Sequence, residues 1–453
     1  MSPHRRIDVV FDSIKRLQRL GATANLLNLL QKQHPADLAE VLGELSDIDR
    51  RSIFNTLLGA NSRLAMEALS EFDSDIGAAL LAEYPADELG RLFQQIPSDD
   101  AAALIGSLPE ELSVSVLESM RHQKSGEVQH LLEYSDQTAG RIMNPNVFAV
   151  NEELTVGQAI KSLQGSREVE MVFYLYVVNQ DRHLIGVVSL RRLLLVSPET
   201  PLTRIMTRDL ITARVDMDQE EVAQLVASYN LLAIPVIDEV NSLVGIITVD
   251  DVIDVIKDEA TEDIYRMAGV SGDEHVFSSV RESIRKRFPW LGMNLITAML
   301  AALVVRSFQS TINEVVALAA FMTIVASMGG NAATQTLTVI VRGIAIGELT
   351  WSNSRKALGK EALVGLSNGI ILGIAGAGVA WLVVGNFYFG SILALAMIIN
   401  LIVAAVAATL IPIMLRALNI DPALASSVFI TTLTDMFGFF AFLGLATIFL
   451  QYL

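Results

Sequence analysis

The chain has 453 residues, a formal net charge of −17 and no cysteine. That length exceeds what one hydrophobic core organises, so several domains are expected. The missing cysteines exclude a disulfide scaffold and thiolate metal sites, and the acid excess works against nucleic-acid binding, which needs a basic footprint. The charge is unevenly spread. Only six of the 33 basic and five of the 50 acidic residues follow Phe288, so the acid excess lies in the polar N-terminal part. Such a balance fits cation partners or plain solubility.

The N-terminal stretch MSPHRRIDVVFDSIKRL carries charges throughout and no apolar segment, so no cleaved signal peptide is expected. Residues 1–130 show apolar residues at three- and four-residue spacing, which predicts helices. HPADLAEVLGEL (34–45) resembles YPADELGRLFQQ (84–95), and PSDDAAALIGSL (97–108) adds another short helix. A solenoid-like helical domain is expected. Asp99 and Asp100 read locally as helix-capping residues.

Residues 131–256 hold a second repeat, divided at 199/200. GRIMNPNVFAV with YLYVVNQDRHLIGVVSLRRLLL pairs with TRIMTRDLITARV and LAIPVIDEVNSLVGIITVDDVIDVI. Each half alternates strand-like and helical runs, an α/β pattern. Next comes TVDDVIDVIKDEATEDIYRMAGV (248–270). Asp251, Asp254, Asp258 and Glu262 recur at helical spacing on one face, flanked by Glu259 and Asp263. Like charges so placed weaken a helix by roughly 0.2–0.5 kcal/mol per pair. The stripe is either a solvated face or a surface that cations complete. A connecting helix is expected over 257–287.

The region 288–453 contains five apolar segments, near 289–308, 315–341, 363–385, 388–415 and 422–450. Each suffices to cross a hydrocarbon layer of ~30 Å. Basic residues precede the first span (Arg281, Arg285, Lys286, Arg287), flank the second link (Arg342, Arg355, Lys356, Lys360) and follow the fourth span (Arg416). The positive-inside rule then puts the polar half in the cytoplasm and the C-terminus outside. The second span carries SMGGNAATQTLT (327–338), either lining a wet cavity or serving helix packing. Gly373, Gly376 and Gly378 read as packing positions, and Pro412 as a kink. Asp421-Pro422 reads as the N-cap and first residue of the last helix. Asp435 then lies about 20 Å along a helix of ~43 Å. No Lys, Arg or His within the spans matches its depth. Three readings stay open: a protonated structural acid, a proton relay, or a cation site with oxygen ligands from the run around Asn331.

The repeat in 131–256 resembles a tandem pair of CBS modules, regulatory α/β units that often bind adenosine nucleotides. The second copy has Gly245, Thr248 and Asp251 in the pattern G-h-h-T-x-x-D; the first has Gly186 and Ser189 but Arg192 in place of the Asp. The resemblance implies that Asp251 contacts a ribose, making ATP or another adenosine nucleotide a candidate cofactor. The whole chain resembles the MgtE family of magnesium transporters, through VDDVIDVI with ATEDI, GGNAATQ (329–335) and PALASSVFITTLTD (422–435). The resemblance implies a homodimeric Mg²⁺ channel of the cell inner membrane. Its fold would be a helical regulatory domain (1–130), CBS modules (131–199 and 200–256), a plug helix (257–287) and a five-span pore domain (288–453). It further implies that Asp435 holds hydrated Mg²⁺ in the pore and Asn331 lines it. Asp99, Asp100, Asp218, Glu220, Asp251, Asp254, Glu259, Glu262 and Asp263 would bind cytosolic Mg²⁺ and close the pore when Mg²⁺ is plentiful. Ala333 stands where the family commonly has Gly, with an altered pore wall expected; Asn230 stands where it commonly has Asp, with a weakened regulatory site expected. The competing readings are a CBS-regulated transporter of Co²⁺, Mn²⁺ or Zn²⁺, or of an anion, though no basic group lies at depth for an anion. No nucleophile elbow, P-loop or HExxH pattern occurs, so an enzyme is not expected.

Overall fold

The computed structural model describes residues 3–166, 172–270, 274, 279–418, 420–424 and 427–453. The chain forms two compact units, Met1–Val255 and Ile256–Leu453.

The first unit opens with short helices, from Pro3–Arg19 to His122–Glu133. Their starts follow from capping chemistry: Ser46 Oγ accepts from Asp49 N at 3.3 Å, and Asp73 Oδ1 accepts from Asp75 N and Ile76 N at 3.0 and 3.1 Å. No single helix here could bury its apolar face alone. Stacked together, they enclose Phe54, Leu57, Met66, Leu69, Leu81 and Phe93, all buried. Asp99 and Asp100 fall in the first turn of the helix Ser98–Gly106, whose N-cap position is Pro97. They are first-turn anions favoured by the helix dipole rather than N-cap residues.

The sequence repeat over 131–256 becomes two sheets of one topology. β1 (Ala149–Asn151) runs parallel to β2 (Tyr174–Val178), which pairs antiparallel with β3 (Leu184–Ser189). β4 (Ala213–Arg214), β5 (Ala233–Ile237) and β6 (Leu243–Thr248) repeat the order, each copy with an irregularity at the same place in its central strand. The two RIM segments cross over. Asn144 of the first bridges Ile246 on β6, and Thr207 of the second bridges Val187 on β3. Gly245 and Gly186 leave room for this exchange, against Met143 and Met206 respectively.

The helix Val249–Ala268 carries the acidic stripe. It does not continue to Arg287 as the sequence suggests. Gly269 adopts φ +70°, with Gly269 N donating to Arg266 O at 3.0 Å and Val270 N to Tyr265 O at 2.9 Å. This pair of bonds is a Schellman stop, which glycine accommodates without strain. Residues 271–273 and 275–278 of the expected connecting helix lie outside the described residues. A new helix starts at Val280, with Ser279 Oγ accepting from Glu282 N at 3.3 Å. The basic run 281–287 therefore belongs to the first span.

The second unit has five helices long and apolar enough to cross a membrane: Val280–Ser307, Ala317–Ala345, Ser354–Val384, Phe387–Ala417 and, within Ser427–Ile448, Val428–Ile448. The polar run 327–338 stays regular helix. Gly365, Gly369 and Gly373 of the third span lie directly against backbone of the fourth at Leu401, Ile398 and Ala394. Gly376 faces Met397, whereas Gly378 has nothing within 4 Å among the described residues. Pro412 sits inside the fourth helix, which continues to Ala417. The last span starts later than expected. Asp421 Oδ1 accepts from Ala423 N at 2.8 Å and supports a 3₁₀ turn, Pro422–Leu424, ahead of the helix from Ser427.

The strand glycines give a contrast to test. A methyl at Gly245 would meet the Asn144 carbonyl oxygen at 2.9 Å, whereas the three nearest atoms to one at Gly186 all belong to the Met206 side chain. Gly245→Ala is expected to destabilise the first unit by roughly 1–3 kcal/mol and Gly186→Ala by less, because a thioether repacks and a strand backbone does not. Urea unfolding followed by circular dichroism measures the difference.

Candidate metal sites

The first unit contains a cleft of about 540 Å³. Asp99 and Asp100 reach it from the helix Ser98–Gly106, and Asp250, Asp251 and Asp254 from the start of the helix Val249–Ala268. The Thr248–Asp251 turn fixes one carboxylate. Asp251 Oδ2 accepts from Thr248 Oγ1 at 2.6 Å and from Thr248 N at 3.2 Å. Asn144 Nδ2 donates to Asp99 Oδ1 at 3.4 Å. No ion pair engages Asp99 or Asp251 among the described residues.

Burial, then Asp100, then Asp251 push the Asp99 carboxyl well above the usual range. Burial also pushes Asp251 up, to about 6, against the lowering effect of the Thr248 hydroxyl bond and with Asp250 and Asp254 adding to the rise. Both are desolvated carboxylates, and neighbouring acids add to the proton affinity of each. Among the described residues no three His, Asp or Glu side chains gather closely enough to hold a metal ion unaided.

Asp218 and Glu220 do not line this cleft. Asp218 caps the helix Gln219–Tyr229, accepting from Glu220 N at 2.8 Å. Asn230 ends that helix at φ 52°. An amide tolerates this left-handed position, which gives the residue a conformational reason. Glu259, Glu262 and Asp263 fall in the second unit, where Arg266 pairs with both Glu262 and Asp421. Burial and then Asp421 raise Asp263 to about 6, with Glu259 adding to the rise and Arg266 opposing it.

In the membrane unit, Asp435 is half-buried and makes no hydrogen bond or ion pair among the described residues. Counted from Ser427 it lies about 12 Å along a helix of ~33 Å, nearer the start of the span than the sequence suggested. Gly330 of the second span packs against Thr431, one turn before Asp435. Ser327, Asn331, Thr334 and Thr338 recur at four, three and four residues and are all exposed in the single chain. Thr334 and Thr338 hydroxyls donate to Gly330 O and Thr334 O at 3.0 and 2.9 Å. Asn331 has no such partner among the described residues. Ala333, by contrast, is fully buried with Leu337, Val341 and Ile430. Its methyl belongs to helix packing, so the expected change to the pore wall does not arise.

Residues 322–445 match the MgtE family of divalent cation transporters; 33–137 match the MgtE intracellular N domain, and 139–199 and 202–258 the CBS domain. The chain is 37% identical over 335 residues to the magnesium transporter MgtE of Enterococcus faecalis, spanning 73% of each chain. The chain belongs to the MgtE family of magnesium transporters. The Thermus thermophilus magnesium transporter MgtE is 34% identical over 334 residues, 72% of this chain and 73% of that one. The crystal structure of the cytosolic domain of the Mg²⁺ channel MgtE in complex with ATP matches 54% of this chain and 99% of its own, with 32% identity and a TM-score of 0.50.

Several residues near the candidate sites were not read as site residues from the sequence. Glu127 lines the cleft of the first unit, accepting from Ser98 Oγ at 2.8 Å and from Asn146 Nδ2 at 3.4 Å. Asp421 meets the acidic helix through Arg266. Glu361 is buried in the third span, with Thr336 Oγ1 donating at 3.2 Å and Lys360 at 2.6 Å. Asn400, 1% exposed, sits between the helices that bear Asn331 and Asp435. Its Nδ2 donates to Val325 O at 2.9 Å, and Gly329 and Gly438 abut it from the second and fifth spans. A buried polar residue inside an apolar run was the available clue for both Asn400 and Glu361.

Two outcomes test these sites. Asp251 has a folded pKa of about 6 against about 3.9 when unfolded. Through that window the folded state holds a proton the unfolded state has released, so stability falls as pH rises and the full penalty stands above the folded value. In metal-free buffer Asp251→Asn is expected to raise the melting midpoint at pH 7.5 and to give a smaller gain at pH 4.5, with Mg²⁺ stabilising the parent more than the variant. In the membrane unit, a methyl at Gly329 would fall 2.2 Å from Asn400 Nδ2. Gly329→Ala is expected to destabilise by roughly 1–3 kcal/mol, and Asn400→Ala to relieve most of that cost in a double-mutant cycle read by thermal melting in detergent.

Proposed function

We propose that the chain conducts Mg²⁺ across the cell inner membrane as a homodimer, with its polar half in the cytoplasm and its C-terminus outside. The observation that carries this is Asp435: a half-buried carboxylate in a membrane helix, without a hydrogen-bond or ionic partner among the described residues. An intramembrane acid is costly, by roughly 2.5–3.5 kcal/mol on insertion scales. A transported cation gives it a counter-charge. Mg²⁺ surrenders water reluctantly, so the carboxylate attracts the hydrated ion through its water hydrogens, firmly enough for entry and loosely enough for exit. Asn331, on the exposed polar face of the second span, adds a neutral acceptor for the same waters. That face calls for a wet path or a second copy of the chain, since hydroxyls and amides gain nothing from acyl chains.

Regulation follows from the cytosolic acids. With Mg²⁺ scarce, Asp99, Asp100, Asp251 and Asp254 repel across their cleft and the open arrangement is favoured. Abundant Mg²⁺ neutralises them, along with the acids Glu259, Glu262 and Asp263, and shifts the population toward a compact closed state. Asp218 and Glu220 are proposed to contribute from the second CBS module. An adenosine nucleotide such as ATP is a further proposed ligand of the CBS pair, supported by the ATP complex of the related cytosolic domain and by the Gly245–Thr248–Asp251 pattern. Arg192 in the first copy restricts that chemistry to the second. The alternative cargo is another divalent cation, since the relevant family description is of divalent cation transport.

The experiment is Mg²⁺ flux into proteoliposomes. Asp435→Ala is expected to lower the flux by at least an order of magnitude while the protein remains folded and inserted, and Asp435→Glu to retain part of it. Undiminished flux through Asp435→Ala removes the pore role, and Co²⁺ or Mn²⁺ moving faster than Mg²⁺ replaces the proposed cargo.

A further inference from the structure

The ends of the second and fourth spans and the loop after the second enclose a separate cavity of 360 Å³. Its floor is apolar, with Ile344, Leu349 and Ile413; its rim carries Trp351, Ser354 and Arg416. No carboxylate lines it, in a chain with 50 acids. Arg416 Nη1 donates to Leu349 O at 2.9 Å, which anchors the guanidinium against the loop. Its other donors are unpartnered among the described residues. Trp351 is 74% exposed, an aromatic left unpacked where helix ends meet the membrane–water boundary. In the sequence, the stretch 342–360 holds Arg342, Arg355, Lys356 and Lys360 against Glu348 as its single acid, with Lys360 paired to the adjacent Glu361 at 2.6 Å.

We propose that this cavity binds an anionic phospholipid, with the phosphate on Arg416 and the glycerol and upper acyl carbons on the apolar floor. Three features of the lining match that amphiphile. Arginine presents a planar fork of donors suited to phosphate oxygens. Tryptophan ranks among the residues favoured at the headgroup level of a bilayer. A basic pocket between membrane helices selects anionic headgroups over zwitterionic ones. A free phosphate would satisfy the guanidinium and leave the apolar floor wet, so the lipid is the better fit. The inference does not depend on which cation the protein carries.

The test uses the full chain in detergent, with lipid binding counted by native mass spectrometry and thermal stability measured alongside. Phosphatidylglycerol is expected to bind and raise the melting midpoint more than phosphatidylcholine. Arg416→Gln is expected to weaken phosphatidylglycerol about tenfold, the loss of one charge-assisted contact. Should Arg416→Gln fail to fold, Trp351→Ala alters only an exposed side chain and is expected to weaken the same lipid. Equal binding of the two lipids overturns the proposal, as does a preference for phosphatidylglycerol that survives both substitutions. Inorganic phosphate stabilising the protein as well as the lipid does would overturn the assignment to a phospholipid.

Discussion

Carboxylates held without counter-cations are the constraint on which the rest of this molecule depends. Asp99 and Asp251 share a cleft in which burial raises the proton affinity of each, helped by Asp100 and Asp251 at the first and by Asp250 and Asp254 at the second. Asp435 occupies a membrane helix with no ionic partner among the described residues. In a low-dielectric setting neither arrangement is comfortable alone. Both become so beside a divalent ion. One chemical deficit thus recurs where an ion would be sensed and where it would cross.

The helix Val249–Ala268 connects these themes along the sequence. Its first turns supply Asp251 and Asp254 to the cleft of the first unit. Its last turns bring Glu262 and Arg266 to Asp421, at the approach to the final span. Arg266 already provides one positive charge there, yet Asp263 remains raised to about 6, chiefly by burial and Asp421. The far end of the helix is therefore partly neutralised by protein and partly left for solvent or ions. The Schellman stop at Gly269 ends the helix just beyond these acids.

Much of the architecture was legible because it is local. Helical spacing marks the first 130 residues, alternating strand and helix runs mark the CBS pair, and uninterrupted apolar length marks five spans. Asp435 was legible as an isolated charge, and Asp99 and Asp251 through family resemblance. What stayed hidden depends on neighbours distant in sequence. The connecting helix looked continuous because the stop at Gly269 needs a left-handed backbone that a stripe of acids does not announce. Asp421-Pro422 looked like a helix start, whereas Asp421 supports only a 3₁₀ turn, which moves Asp435 toward the beginning of its span. Ala333 lies two residues from exposed Asn331 but faces the interior. Asn400 draws its importance from Gly329 and Gly438, two glycines on other helices.

The most direct measurement is unidirectional Mg²⁺ flux in proteoliposomes as the Mg²⁺ concentration on the face bearing the polar half is raised, comparing the parent chain with Asp99→Asn/Asp251→Asn. The paired-acid account predicts inhibition of the parent at lower Mg²⁺ than the variant, whose curve moves to higher concentration while flux at the lowest Mg²⁺ is preserved. Superimposable inhibition curves would contradict it.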